Sequence, residues 1–529
     1  MNKLFQSKFM FTILLVLSTM GILLVNIRNC FKNIGLNKGS LIHTAMGKGI
    51  MFFLIFIIAS SIAILIFLYK QKNDKNIIVK GFISIAMILG MCILFVNPPF
   101  QVPDEVAHFF KAYEVSLGRP VSMGSEHGNG YYVPKSFMKL YSDSKVEELI
   151  KGKDRLNVSD IKDSWNVNLD SDDKFFASYD NVATYMPLQY IPQSIGILIG
   201  RIFNLGPLVL FYLARLMNFL TYIILAAVAI KLIPVGKEIL FLIALMPQNI
   251  SEVASCAPDA LINSLCMVFI ALCLYYYKRD KKLSKKEMAL LLIIVMCVSS
   301  FKVVYFPLAL LTFLLKDKFE SKKFAYSYLC ATLFLSILIN LIWIPYSSAE
   351  IGTNFANNMG KSGIDVGAQV KQAITNPIKY MYILFSTIES NFSFYINSTI
   401  GIIGWLNMPM PQYIIITFMF LMFISTIIEN DIEIKVNQKI RYIFIVVFLM
   451  IILLIFSSLY AIWTPVGADI IEGVQGRYFI PIIALLLLSF KTDRLKINVN
   501  KFNLYMIGFV LFSCIIIITS IVGKYYVIA

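Results

Sequence analysis

The sequence predicts an all-α, polytopic transmembrane helix bundle of about thirteen spans. Three observations carry this. The 529 residues are 58% hydrophobic and only 15% charged, with a mean hydropathy of +0.74, a composition typical of membrane proteins. Apolar runs approaching the roughly 20 residues that cross hydrocarbon recur along the chain. The Lys and Arg residues behind the net charge of +16 gather in short loops between those runs, which is the positive-inside pattern. That placement points to the lipid bilayer as partner and argues against nucleic acid.

Taken in order, spans are expected near 9–26, 47–69 and 78–96. The first has no small-residue cleavage site and reads as a signal anchor. Residues 1–77 form an N-terminal hairpin whose orientation the flanking charges leave open, and 78–529 form the main membrane domain. Residues 97–189 are the one long polar stretch, with 14 acidic and 10 basic side chains, net −4, which leaves +20 for the remainder. An acidic loop against a basic remainder reads as extracytoplasmic. Residues 188–204 are apolar but short, and Pro192, Gly196, Gly200 and Arg201 interrupt them. Counting them as a span would put the six basic residues of 278–286 outside. They therefore read as a juxtamembrane helix lying in the interface. Further spans follow near 207–233, 239–255, 259–277, 287–300, 302–316, 324–346, 411–429, 442–462, 477–490 and 503–523. Residues 97–206 and 347–410 together then make the outer region. The eight cysteines contain no Cys-x-x-Cys pair, and no P-loop or internal repeat is visible.

The stretch Asn97-Pro-Pro-Phe-Gln-Val-Pro-Asp-Glu-Val-Ala-His108 closes the span at 78–96. Its first two prolines stop a helix. A helix opening at Asp104 would set Asp104 and His108 on one face, although Asp after a proline-rich turn is equally a plain N-cap. Two carboxylates and an imidazole at a membrane boundary suit proton transfer, or could help hold a divalent cation. Under the expected topology Asp104, Glu105, His108, Asp180, Glu252, Asp259, Lys302 and Arg477 all fall at outer ends of spans or in outer loops. Ionisable groups there are functional candidates; the plainer reading is that they pair with one another for packing. Arg215 lies within a span, where it could pair with an acid such as Asp180 or reach a phosphate. Lys302 sits at the tip of an outer hairpin, where simple snorkelling is as good a reading as ligand contact. Asp259 reads more readily as a cap than as a catalyst. The chemistry suggested is group transfer from a lipid phosphate. Arg477 and Lys302 would share one cavity, bind the phosphate and stabilise the leaving charge. A carboxylate would take the proton of an attacking hydroxyl.

Four runs together carry a family resemblance: Pro98-Pro-Phe-Gln-Val-Pro-Asp-Glu-Val-Ala-His108, the hairpin from Met246-Pro to Pro258-Asp-Ala260, Gly401-Ile-Ile-Gly-Trp-Leu-Asn407, and Gln475-Gly-Arg-Tyr-Phe479. From about residue 80 onward the chain resembles the bacterial polytopic membrane family called domain of unknown function 2142. That family is similar in layout to the GT-C superfamily of lipid-phosphate-sugar-dependent glycosyltransferases. The resemblance implies an acidic motif in the first outer loop, at Asp104 and Glu105, and a juxtamembrane element at Tyr185-Met-Pro-Leu-Gln-Tyr190. It implies an inverting glycosyltransferase of the bacterial cytoplasmic membrane, with a polyprenyl-phosphate-linked sugar as donor and a cell-surface glycan as acceptor. Asp104, Glu105 and His108 are then the catalytic candidates. Lys302, Arg477, Tyr478, Arg215, Asp180, Asp259, Gln475 and Trp405 are the substrate-binding candidates. Asn407 stands where the Gly-Trp-Leu motif is expected to carry an Asp, so no acid is available there. The alternatives are a transporter or flippase of lipid-linked saccharides, which lacks support from any inverted repeat or paired broken helices, and a non-catalytic scaffold of a polysaccharide assembly machine.

Overall fold

The computed structural model describes residues 45–351, 363–428, 434–492, 494–495 and 498–527, with 21, 24–30 and 32 ahead of them. Of the span expected at 9–26, only 21 and 24–26 lie among the described residues. The long apolar helix α1 (Ala45–Lys70) turns into α2 (Ile77–Val96), which contains one π-helical turn at Ala86–Gly90. α2 stops at Val96 because Pro98 and Pro99 have no N–H with which to continue the ladder.

A polar cap follows. It holds α3 (Glu105–Ser116), strands β1 (Met123–Ser125) and β2 (Gly128–Pro134), helices α4 (Ser136–Asp143), α5 (Val146–Lys151) and α6 (Val158–Trp165), and strand β3 (Lys174–Ser178). β2 is the central strand, antiparallel to both neighbours, with Gly130 opposite Met123 on one side and Ser178 on the other. A Cβ on Gly130 would lie 1.8 Å from the Ala177 carbonyl oxygen, so only glycine fits. This sheet corrects the all-α expectation. Its aromatic partners, Tyr132 and Phe176, come from runs far apart in sequence, and the glycines of β2 make it read as loop. The cap's core is aromatic, with Phe100, Phe109, Phe110 and Phe137 packed onto Phe211 of the next long helix.

That helix is α8 (Pro207–Leu232), and α7 (Ile191–Ile202) lies against it. A Cβ on Gly196 would come within 2.3 Å of the Leu213 carbonyl oxygen, so glycine sets the approach. The other face of α7 exposes Ile191, Ile195, Leu198, Ile199 and Ile202. This stripe has the spacing of one helix face and suits a helix lying in the membrane interface. The single span expected at 239–255 is two helices, α9 (Lys237–Leu245) and α10 (Pro247–Val253), because Met246 is extended and Pro247 opens a new helix. α11 (Asp259–Lys278) and α12 (Lys285–Phe301) follow, α12 opening on a Ser284/Glu287 capping box. The span expected at 302–316 is a 3-10 run, Val303–Lys318, with Pro307 inside it. It packs between α13 (Lys322–Ile351) and α17, a later helix at Gln438–Ile462.

Between those two, the segment from residue 363 to 410 folds into α14 (Val366–Thr375), the long helix α15 (Pro377–Ile400) and a two-residue strand pair, β4 (Ile402–Ile403) with β5 (Met408–Pro409). α16 (Gln412–Ile427) precedes α17. After α17 the span expected at 477–490 is a 3-10 turn, Gly476–Phe479, and a seven-residue helix, α18 (Ile483–Ser489). α19 (Val499–Tyr525) closes the described chain. Among the described residues α1, α2, α8, α11, α13, α17 and α19 are the seven helices long and apolar enough to cross a membrane. The protein is a mostly helical, polytopic membrane bundle with a small mixed cap.

Candidate functional site

Residues 97–104 form a strap from α2 to α3. Phe100 and Asp104 both have left-handed backbones, with φ of 64° and 62°. That conformation is strained for most L-residues, least so for Asn and Asp, and it persists only where the surroundings over-determine it. Here they do. Arg215 Nε and Nη2 donate to the two oxygens of Glu105 at 2.8 and 2.7 Å. Its remaining N–H bonds run to the carbonyls of Leu94, Asn97 and Pro98 at 3.0, 2.6 and 3.0 Å. All five donors of this guanidinium are thus used within the protein. Glu105 also accepts the Cys256 N–H at 2.9 Å, and both members of the pair are fully buried. From the other side Trp405 Nε1 donates to the Phe100 carbonyl at 3.0 Å. Of the two readings for Arg215, pairing holds, with Glu105 rather than Asp180 as partner. Asp180 instead accepts from the Asn129 N–H (2.8 Å) and side-chain amide (2.6 Å) and from the Ser178 hydroxyl (2.9 Å), at the edge of the cap sheet.

The strap delivers Asp104 to a charged cluster. One Asp104 oxygen accepts from Asn181 Nδ2 at 2.9 Å and the other from Arg477 Nη2 at 3.1 Å. Arg477 Nη1 donates to Glu252 Oε1 at 3.1 Å. Arg477 Nε and Gln475 Oε1 are buried with no hydrogen-bond partner among the described residues. Lys302, the residue between α12 and the 3-10 run, donates to Asp259 Oδ1 at 2.9 Å. Asp259 opens α11 but its side chain caps nothing. The Tyr478 ring lies 5.3 Å from Lys302 Nζ and 5.5 Å from the Arg477 guanidinium carbon. The two cations are therefore no further apart than the sum of those distances. The Tyr478 carbonyl accepts the Tyr305 hydroxyl at 2.9 Å. His108 Nδ1 lies 2.8 Å from the Tyr190 hydroxyl, and its ring packs 6.3 Å from the Tyr185 ring. Burial pushes His108 down to about 4, against the opposing pull of the Asp104 and Asp259 carboxylates. The ring is thus neutral, and it shares one hydrogen bond with the Tyr190 hydroxyl, whose direction is set by the tautomer.

Beside Lys302 a cavity of about 310 Å³ opens between α13 and α17. Tyr185, Lys302, Tyr305 and Tyr478 form its head, and Trp343, Ile344, Leu459 and Ile462 line its apolar part. Ile344 and Ile462 are exposed, so the mouth faces the apolar flank of the bundle. Trp343 Nε1 donates to the Thr184 carbonyl at 2.8 Å, which fixes the run carrying Tyr185 over it. Asn181, Tyr185, Tyr190 and Tyr305 join the site without having been candidates in the sequence, whereas Glu252 was a candidate there without an assigned role. Glu252 stood among the outer-face acids and the two tyrosines 185 and 190 in a recognised run. Asn181 carried no signal beyond standing next to Asp180. Asn407 donates to the Ile150 carbonyl at 3.1 Å and accepts from Lys524, tying the β4–β5 loop to the cap. Among the described residues no group of three or more His, Cys, Asp or Glu is placed to hold a metal ion.

The fold and this cluster define a class: a polytopic helical membrane protein with a charged site where its spans meet a polar cap. The family described as "Predicted membrane protein (DUF2142)" matches residues 87–487, and the chain belongs to that family. No curated protein and no solved structure matches the chain.

Two outcomes follow from this geometry. Glu105→Gln is expected to leave little folded protein, because removing one member of a buried pair costs roughly 3–5 kcal/mol. Asp104→Asn should keep the fold, since the side chain is partly exposed and Asn tolerates the left-handed backbone. Size-exclusion profiles and unfolding midpoints in detergent compare the two. The second outcome concerns pH. His108 takes up its proton near pH 4 when folded and near ~6.5 when unfolded. The folded state therefore binds fewer protons, and its stability is full above pH ~6.5 and declines as pH falls toward about 4. Unfolding midpoints of the wild type should drop between pH about 7 and about 5, and His108→Asn should flatten that drop. An unchanged slope in the variant would remove His108 from the explanation.

Proposed function

We propose that this protein is an inverting glycosyltransferase. It would move a sugar from a polyprenyl-phosphate-linked donor to a cell-surface glycan acceptor at the extracytoplasmic face of the bacterial cytoplasmic membrane. The observation that carries the reading is an apolar, laterally open cavity headed by Lys302 and Tyr478, with Arg477 beside Tyr478 and Asp104 bonded to Arg477. A lipid-linked sugar phosphate has three parts with different solvation. Its tail suits the slot between α13 and α17. Its phosphate suits Lys302 and Arg477, whose Nε is unpartnered. Its sugar then lies toward the cap and Asp104.

In the chemical step Asp104 takes the proton of the acceptor hydroxyl. The hydroxyl oxygen bonds to the anomeric carbon as the bond from that carbon to the phosphate oxygen breaks. The phosphate leaves with the electron pair, and Lys302 and Arg477 hold its charge. A single displacement inverts the anomeric centre. Glu105 acts through Arg215 as a positioning residue, and His108 packs beside Tyr185 at the head of the cavity. The GT-C layout, the thirteen spans and the outward cap belong to the same reading. Their support is the basic loop at 278–286 and the acidic balance of the cap. A flippase of lipid-linked saccharides is the second reading, favoured by the broken α9–α10 helix at Met246, a feature of carriers.

Glycan analysis of a strain carrying Asp104→Asn tests the chemistry. Loss of a general base slows a reaction by about 10²–10⁴-fold, so the glycan should disappear while the protein stays at wild-type level in the membrane. Normal glycan with Asp104→Asn sinks the transferase reading, because a flippase has no use for a base. The topology has its own check: Ser284→Cys should resist an impermeant thiol reagent in intact cells, and labelling from outside would reverse the orientation.

A further inference from the structure

A second cavity lies on the other side of the strap. It measures about 350 Å³ and is lined by Phe95 of α2, Pro99 of the strap, and Leu208, Leu213 and Leu216 of α8. The cap roofs it with Asp143, the last residue of α4, with Ser144 after it, and with Asp160, Ser164 and Trp165 of α6. We propose that this cavity binds a lipid with an uncharged sugar head group.

Four features select that chemistry. The floor is apolar and continuous with exposed Phe95, while Trp165 is 64% exposed at the rim; an indole there sits at the level where head groups meet acyl chains. The roof is polar, so the occupant has an apolar and a polar end. Asp143 Oδ2 is buried with no hydrogen-bond partner among the described residues, an acceptor awaiting a donor. Burial raises the Asp143 carboxyl above its usual range, Asp163 and Asp160 push the same way, and only Lys139 opposes them. Lys145, two residues along the chain from Asp143, is held by Asp154 at 2.9 Å and Asp160 at 3.1 Å. A phosphate head would therefore meet net negative charge, in contrast to the Lys302–Arg477 site. Sugar hydroxyls supply donors to Asp143, Ser144 and Ser164 without adding charge, and the exposed indole offers a flat apolar face for a sugar ring. This site does not depend on the transferase reading, since none of its residues belongs to the charged cluster.

The test is native mass spectrometry of the full chain in detergent. The probes are diglucosyl diacylglycerol, plain diacylglycerol and phosphatidylglycerol with the same acyl chains. One glycolipid should be retained at about tenfold lower concentration than either other lipid. Asp143→Ala should abolish that preference. Leu216→Trp, which fills the floor from a partly exposed position, should remove glycolipid binding with the unfolding midpoint unchanged, and it serves where Asp143→Ala fails to fold. Arg477→Ala should leave the preference intact. Equal retention of all three lipids, preference for phosphatidylglycerol, or a glycolipid preference that survives Leu216→Trp overturns the proposal.

Discussion

The arrangement depends on one guanidinium buried at the edge of the membrane. A helix leaves its last carbonyls without partners, and α2 ends against two prolines that supply no N–H. Arg215, carried on a different helix, takes the carbonyls of Leu94, Asn97 and Pro98 and binds Glu105 bidentately. Glu105 in turn holds the Cys256 N–H, which fixes the link between α10 and α11. One side chain thereby joins α2, the strap, α3, α8 and the segment that brings Glu252 and Asp259 into place. A buried pair is costly to desolvate, and its net worth to stability is small. Its contribution here is specificity: with every donor and acceptor used, the strap has one conformation, and the left-handed backbone at Asp104 is enforced rather than chosen.

The sequence made the boundary legible and left the pairing illegible. Prolines at 98, 99 and 103 mark where a span ends, and charge placement alone gathers Asp104, Glu252, Asp259, Lys302 and Arg477 on one side. Which of them touch is a tertiary property. Arg477 meets Asp104 across 373 residues and Glu252 across 225, and no local pattern encodes either contact. Glu105 and Asp104 are neighbours of identical charge type, yet one is sealed against Arg215 and the other is left partly open. A one-residue step on a strained strap decides that, and hydropathy cannot see it. The same limit hid the cap sheet, whose strands pair across a long insertion, and the breaks at Met246 and Val303, where apolar runs of spanning composition contain prolines at 247 and 307.

Charge balance at the site bears on how it would work. Three carboxyls, Asp104, Glu252 and Asp259, share the two cations Arg477 and Lys302. Each cation already has a carboxylate partner, so an arriving phosphate competes with those carboxylates for the positive charge, while Arg477 Nε has a donor to offer it. The weakest hold is the exchangeable one. Asp104 and Glu252 each share Arg477 through one 3.1 Å bond, whereas Lys302 and Asp259 meet at 2.9 Å. Of the two acids on Arg477, Asp104 is the more solvent-accessible, and an ion pair in contact with water is the less costly one to open. In the transferase reading, phosphate binding to Arg477 would release Asp104 from its cation while Asn181 keeps it oriented. In that reading the Asp104–Arg477 bond is the contact that would tie the arrival of the donor to the freedom of the carboxylate.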